Sequence, residues 1–320
     1  MQWQAWEPDI LVGFEARTLE LAPDYDGPVV ATLVRRRFAR PSAKAVLYIH
    51  GFVDYFYQVN LAEAWLAQGY NFYALDLRKY GRSLRSGQHP NFCSDLAEYD
   101  AEITAALALI AGEEGCDWIM VNGHSTGGLI AARYAQYGAA RDLVQALFLN
   151  SPFLAFNISD RMQPALALIA QIGERDPFRI YPATLTTYGE SIHRTYHGEW
   201  DFDLRWKPMN GFPTYYGWMR AIHLAQRDLQ RGWAIRCPVL VMHAAQSLRS
   251  ERWNEAFQTH DVVLNVEHIR RFSLMLGGDL TLIAIANALH DLALARSDVR
   301  AEVFRRLLAW VRYVEDCRLI

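Results

Sequence analysis

Cysteine is scarce and scattered. The 320-residue chain holds four, Cys93, Cys116, Cys237 and Cys317, with no C-x-x-C pair and no Cys/His cluster. That spacing argues against structural zinc and against a dense disulfide framework. Thiols of this kind suit a reducing compartment, so a cytoplasmic setting is expected. Charge of one sign is lacking too. Lys and Arg total 32 against 35 Asp and Glu, a net charge of −3, and no basic stripe offers a footprint for nucleic acid. No run reaches the ~18 apolar residues of a transmembrane segment. The start, Met1 to Glu7, has no basic stretch leading into an apolar one, so no secretory leader is expected. Repeats and low-complexity segments are missing as well. What is present, 52% hydrophobic and 21% charged residues, is a globular balance with enough apolar side chain for a large core. Oligomeric state and peripheral membrane contact are left open by these counts.

The order of periodic segments carries more information. Residues 10–21 and 29–37 read as strands around a turn at 24–28. Short apolar runs at 45–49, 72–75, 118–121, 143–149, 238–242 and 280–285 read as strands covered on both faces. Between them lie helical patterns. One covers 61–66 and stops near Gly69. Another is capped by Ser94, with Asp95 and Glu98 at its positive end and Leu96, Tyr99, Ile103, Leu107 and Ile110 on one face. A third covers 126–138. The last begins near Ser297 and buries Val299, Val303, Leu307, Val311 and Val314. Strands alternating with helices predict an α/β fold, a mostly parallel central sheet with helices on both faces. Residues 153–234 break the rhythm, with prolines at 164, 177, 182, 208 and 213 and no repeated strand–helix unit. The expected division is a core of 1–152 and 235–320 with an inserted cap at 153–234.

The chemistry centres on Gly123-His124-Ser125-Thr126-Gly127. A G-x-S-x-G sequence holds a nucleophilic serine on a sharp turn when a strand precedes it and a helix follows, and both flanks are predicted here. Glycines at 123 and 127 suit a turn whose neighbouring backbones leave no room for side chains. Ser125 needs a base. His290, just past the last predicted strand, fits the chain order serine, acid, histidine. It would take the Ser125 proton and pass it to the leaving group. His124 is expected to pack beside the turn. The oxyanion needs two backbone donors: the Thr126 N–H, next after the nucleophile, and the Phe52 N–H, in the loop His50-Gly51-Phe52-Val53-Asp54-Tyr55 that follows a buried strand. The His50 ring is expected to hold that loop. The remaining histidines suggest packing or surface roles, and no metal or organic cofactor is called for.

Together these residues resemble the α/β-hydrolase superfamily, and more narrowly its lysophospholipase and monoacylglycerol-lipase-like branch, the serine aminopeptidase S33 type. The resemblance rests on His50-Gly51-Phe52, on Asp76-Leu77-Arg78-Lys79-Tyr80-Gly81-Arg82-Ser83, on Gly123 to Gly128, on Asn150-Ser151-Pro152-Phe153 and on Leu289-His290-Asp291. It spans about residues 30–152 and 235–315. It implies an α/β-hydrolase fold and a structural role for the 76–83 stretch, ordering a loop beside the site. It also implies an acid soon after the penultimate strand, and there the sequence departs: His243-Ala244-Ala245-Gln246-Ser247 has no carboxylate. With an inserted helix expected near 249–259, Asp261 is the first candidate for the acid and Glu251 the alternative, ahead of Glu255 and Glu267. Asp291 is read as a cap for the following turn.

The expected activity is that of a serine hydrolase cleaving carboxylic esters, with a small-molecule ester as substrate. The resemblance implies monoacylglycerol- or lysophospholipid-like esters. The aromatics of the insertion, Phe153, Tyr215 and Trp218 among them, are candidates for an acyl wall or for packing that holds the cap down. Its acids, Glu190, Glu199, Asp201 and Asp203, raise two options: binding a substrate amine, as an aminopeptidase or amidase requires, or facing water. A hydrolase-shaped binding protein without catalysis is the third reading, since the acid is displaced.

Overall fold

The computed structural model describes residues 2–182, 188–250 and 252–317. Its centre is a sheet built on eight strands: β1 (Glu15–Glu20), β2 (Val30–Arg36), β3 (Lys44–Ile49), β4 (Asn71–Asp76), β5 (Trp118–His124), β6 (Val144–Asn150), β7 (Val239–Ala244) and β8 (Leu280–Ile285). They lie in the order β1-β2-β4-β3-β5-β6-β7-β8, and two short segments, Gln2–Trp3 and Glu7–Pro8, pair with β1. β1, β2 and β4 are joined antiparallel, and every pairing from β4 through β8 is parallel. Among the described residues, the helices flanking the sheet or inserted in its sequence are α1 (Val59–Leu66), α2 (Asp100–Gly112), α3 (Thr126–Tyr137), α4 (Gln163–Arg175), α5 (Tyr188–Ile192), α6 (Tyr216–Leu229), α7 (Val266–Ser273) and α8 (Ser297–Cys317).

The short apolar runs become central strands because both their faces are covered. Along β3, Ala45, Leu47 and Ile49 enter one hydrophobic cluster while Val46 and Tyr48 enter the other, one on each side of the sheet. The residues expected to form one face of the helix after position 94 are all buried. Its start differs from the expectation. α2 is preceded by a 3-10 turn, Leu96–Tyr99, and Asp95, not Ser94, caps that turn, accepting from the Ala97 N–H at 2.8 Å, with Glu98 completing a capping box. The Ser94 hydroxyl instead donates to Glu98. At the far edge, α8 buries its predicted stripe and the Trp310 indole N–H donates to Thr281 Oγ1 at 3.0 Å, tying the helix to β8.

One further expectation changes. No α-helix fills 249–259; among the described residues there is a single 3-10 turn, Glu255–Gln258, capped by the Asn254 side chain. Between β6 and β7 the described residues hold α4, α5 and α6. α6 packs against both α4 and α3, and its Trp218, Ile222 and Leu229 join the core cluster. The strand order reverses where β3 sits between β4 and β5, and in such a sheet the crevice beyond the carboxyl ends of those strands is where ligands bind.

Candidate active site

β3 and β5 deliver two loops side by side at that crevice, with Ile49 paired to Gly123. β5 turns into α3 through Ser125, whose backbone has φ 52° and ψ −118°. This is strained for a non-glycine residue, and the surroundings over-determine it. The Ser125 N–H donates to the Asn150 carbonyl at 3.0 Å, and the Ser125 carbonyl accepts from Gly128 and Phe153 at 2.9 Å each. The motif glycines explain themselves at close range. A Cβ on Gly123 would lie 2.5 Å from the Gly127 carbonyl oxygen, and one on Gly127 would collide with the carbonyls of Ile49 and His50.

Thr126 is the first residue of α3, so its N–H has no acceptor within the helix. Phe52 follows Gly51, where a Cβ would come within 3.2 Å of the Ser125 Cβ. The Phe52 ring stacks on Trp218 at 4.0 Å. His50 holds the loop: its Nε2 accepts from the Leu77 N–H at 3.1 Å and its Nδ1 lies 2.8 Å from the Gly51 carbonyl. Burial pushes its pKa below the ordinary histidine range, against the pull of Asp76 and Asp54. The 76–83 stretch supports the same loop from below. Asp76 Oδ1 accepts from the Phe56 N–H at 2.9 Å, and Oδ2 accepts from the Arg82 N–H at 3.0 Å and its guanidinium at 2.9 Å.

His290 lies after β8 and is buried. Its Nδ1 is 2.8 Å from Asp261 Oδ2. Asp261 is itself buried, and its Oδ1 accepts from the N–H groups of Val263 and Leu264 at 2.9 and 2.7 Å. A backbone bridge between Ser247 and Asp261 sets the aspartate beside the end of β7, with the Asp261 N–H on the Gln246 carbonyl at 2.9 Å. Glu251, the alternative acid, lies outside the described residues. Asp291 serves as the cap of the turn Leu292–Leu294, accepting from Ala293 at 3.0 Å, and receives the Asn150 amide at 2.7 Å. His124 packs against His290, ring centroids 4.9 Å apart, and burial lowers its pKa.

Ser125, Thr126, Phe52 and His290 all line one cavity of about 510 Å³. Its walls are largely apolar, with Phe153, Phe156, Ile158, Trp218, Met219 and Leu264 among them. Tyr215 is not among the lining residues. Alternation along Thr214–Tyr215 sends Thr214 to the cavity and the Tyr215 ring against Phe92, centroids 5.5 Å apart. The acids of the insertion do not line the cavity either: Asp201 pairs with Arg194 at 2.7 Å, Asp203 bonds Arg205, and Glu199 faces Arg300 at 3.8 Å.

Tyr188, one of the insertion's aromatics, and the pair Asp54 and Lys207 line the cavity as well. Tyr188 stands edge-on to His290, centroids 5.6 Å apart, and its hydroxyl accepts from the Asp291 N–H at 3.1 Å. Asp54 and Lys207 form a 2.8 Å ion pair. Burial raises the Asp54 carboxyl, but Lys207, His124 and His50 outweigh it and hold the group below the usual carboxylate range. Asp54 lies within the loop His50 to Tyr55, and that position was a usable signal. Lys207 had none, since the contact spans 153 residues. Among the described residues, no group of three or more His, Cys, Asp or Glu side chains is arranged to hold a metal ion. None of the helices there is long and apolar enough to cross a membrane.

This architecture is the α/β-hydrolase fold. Residues 40–294 match the family described as serine aminopeptidase, S33, and the chain belongs to that family. Solved structures share its fold at low identity. A soluble variant of the monoglyceride lipase from Saccharomyces cerevisiae, in complex with a substrate analog, superposes with a TM-score of 0.67 at 15% identity, covering 93% of this chain and 96% of that one. A thermostable carboxyl esterase from Bacillus coagulans, in complex with glycerol, gives 0.65 at 13% identity over 93% and 98%. The esterase Pf2001 of Pyrococcus furiosus gives 0.54 at 17% over 94% and 93%. No curated protein matches the chain.

Proposed function

We propose that this protein is a serine hydrolase of carboxylic esters carrying an apolar acyl group, of the monoacylglycerol or lysophospholipid kind. One observation carries the reading: strained Ser125 and buried His290 line a single apolar cavity, with Nδ1 of His290 held by Asp261 at 2.8 Å. Ser125 Oγ attacks the ester carbonyl as His290 takes its proton. The tetrahedral oxyanion is received by the N–H groups of Phe52 and Thr126, and His290 protonates the departing alcohol. Water then attacks the acyl-enzyme with His290 again as base. Asp261 fixes the imidazole tautomer and stabilises the imidazolium.

The apolar wall favours an acyl chain. Residues 153–234 then work as a cap, with α6 as the part that returns to the core. The buried thiols of Cys93 and Cys116 suit a cytoplasmic location. An aminopeptidase reading has the family's description in its favour but finds no acid of the insertion lining the cavity to hold a substrate amine. Side-by-side turnover of a medium-chain ester and an aminoacyl amide, with phosphonate labelling of Ser125 as control, tests the choice. The ester should be strongly preferred. A dominant amidase activity would overturn the ester assignment, and failure to label Ser125 would favour a binding protein.

A further inference from the structure

We infer that Lys207 is a positioning residue for the oxyanion loop. Reaching from the segment between β6 and β7, its ammonium holds residues 53–54 so that the Phe52 N–H stays aimed at the reacting carbonyl. The inference rests on the esterase reading above.

Lys207 Nζ donates to Asp54 Oδ1 at 2.8 Å and to the Val53 carbonyl at 3.4 Å, acceptors on the two residues that follow Phe52. The Asp54 side chain is 3% exposed and that of Lys207 13%, so the pair is shielded from water and from salt. Val53 needs such a restraint: it is β-branched and sits at φ 49°. The same segment reaches the loop at other points. The Asp203 N–H donates to the Tyr55 hydroxyl at 2.6 Å, and Trp206 meets the Tyr55 ring edge-on at 5.1 Å. The core anchors the far end of the loop at Phe56 through Asp76. Lys207 anchors its middle, next to the donor.

Charge adds a second reason. Asp54 lines the same cavity as Ser125. A carboxylate left there without its cation opposes the negative charge that develops on the substrate oxygen, and Lys207 cancels it. The loop is thereby coupled to the insertion above it, so the donor geometry depends on how that insertion is seated.

The test compares wild type, Lys207→Met and Lys207→Arg with a short-chain p-nitrophenyl ester and a fluorophosphonate label. Lys207→Met should lower kcat by at least about fivefold with a smaller change in KM, because a misaimed donor weakens the transition state rather than substrate binding. Labelling of Ser125 should slow in proportion, and Lys207→Arg, which keeps the cation, should regain most of both. Adding Asp54→Asn to Lys207→Met should lower kcat no further, as expected of two groups acting as a unit. If Lys207→Met fails to fold, Lys207→Gln is read by the same criteria. A smaller fall in kcat, or a loss carried by KM alone, overturns the inference; so does normal labelling of the variant beside a labelled wild type. A wild-type protein that takes no label removes the esterase reading, and the inference with it.

Discussion

Ser125 keeps a backbone conformation that costs on the order of 1–3 kcal/mol, and hydrogen bonds to Asn150, Gly128 and Phe153 hold it there. Such strain at one serine, between a strand and a helix N-terminus, fits the nucleophile proposed above. Replacing Ser125 or His290 by alanine should therefore lower ester turnover by roughly 10⁴–10⁶ while thermal melting stays near wild type. Near-normal rates in either variant would refute the assignment. Asp261 accepts two backbone N–H groups on Oδ1 and leaves Oδ2 for His290. Asp261→Asn should lose on the order of 10⁴ in kcat, since an amide can impose the wrong tautomer on the ring. Steady-state kinetics beside Glu251→Gln decides between the two acids: a crippled Gln variant with an intact Asn variant would move the role to Glu251.

At the scale of elements, the site depends on loops held by buried charge. The Arg78 guanidinium grips Glu102 of α2 in bidentate fashion, Nε to Oε1 at 2.9 Å and Nη2 to Oε2 at 2.6 Å, with the Glu102 side chain fully buried. The pair fastens the loop after β4 to α2, and that loop in turn supports the loop of residues 50–56 through Asp76. Glu102→Ala leaves the arginine buried without its partner and should destabilise the protein by about 3–5 kcal/mol in urea unfolding. A change under about 1 kcal/mol would mean that water or another acid takes the vacated place. The elements themselves were legible because each has a local signature. β3 and β7 are continuous apolar runs, α8 has a helical stripe, and the Ser125 motif has a strand before it and a helix after it. Ser94 and Asp95 are adjacent capping residues, and which of them caps depends on the geometry of the turn. Within 249–259 the described residues form only the turn Glu255–Gln258, which buries Phe257, and Asp261 then bridges back to Ser247.

For the whole molecule, buried histidines predict how stability responds to acid. Burial lowers the pKa of His50, His124 and His243 below the unfolded value. Below about pH 6.5 the unfolded chain therefore binds protons that the folded protein refuses. Their contribution is fully present above that pH and is lost as pH falls through 6.5 toward the depressed folded values. Asp54, also depressed, adds a further loss once pH drops below the ordinary carboxylate range. The urea midpoint should accordingly decline from pH 7 to pH 5. A flat profile across that interval would show that the three rings are solvated rather than buried.

Amino-acid order alone determined the alternation of strands and helices, the turn that carries Ser125, and the place of His290 after the last strand. Each is written in neighbouring residues, as a run of apolar side chains, a pair of glycines or a position relative to a strand. Tertiary structure alone decided that Tyr215 turns away from the cavity and that Lys207 meets Asp54, and it set Asp261, the first candidate from the sequence, beside His290 in preference to its rivals. Those contacts join residues far apart in the chain, formed only when the sheet brings its loop ends together. No local pattern encodes them, because their stabilisation comes from the shared burial of groups that a linear reading keeps separate.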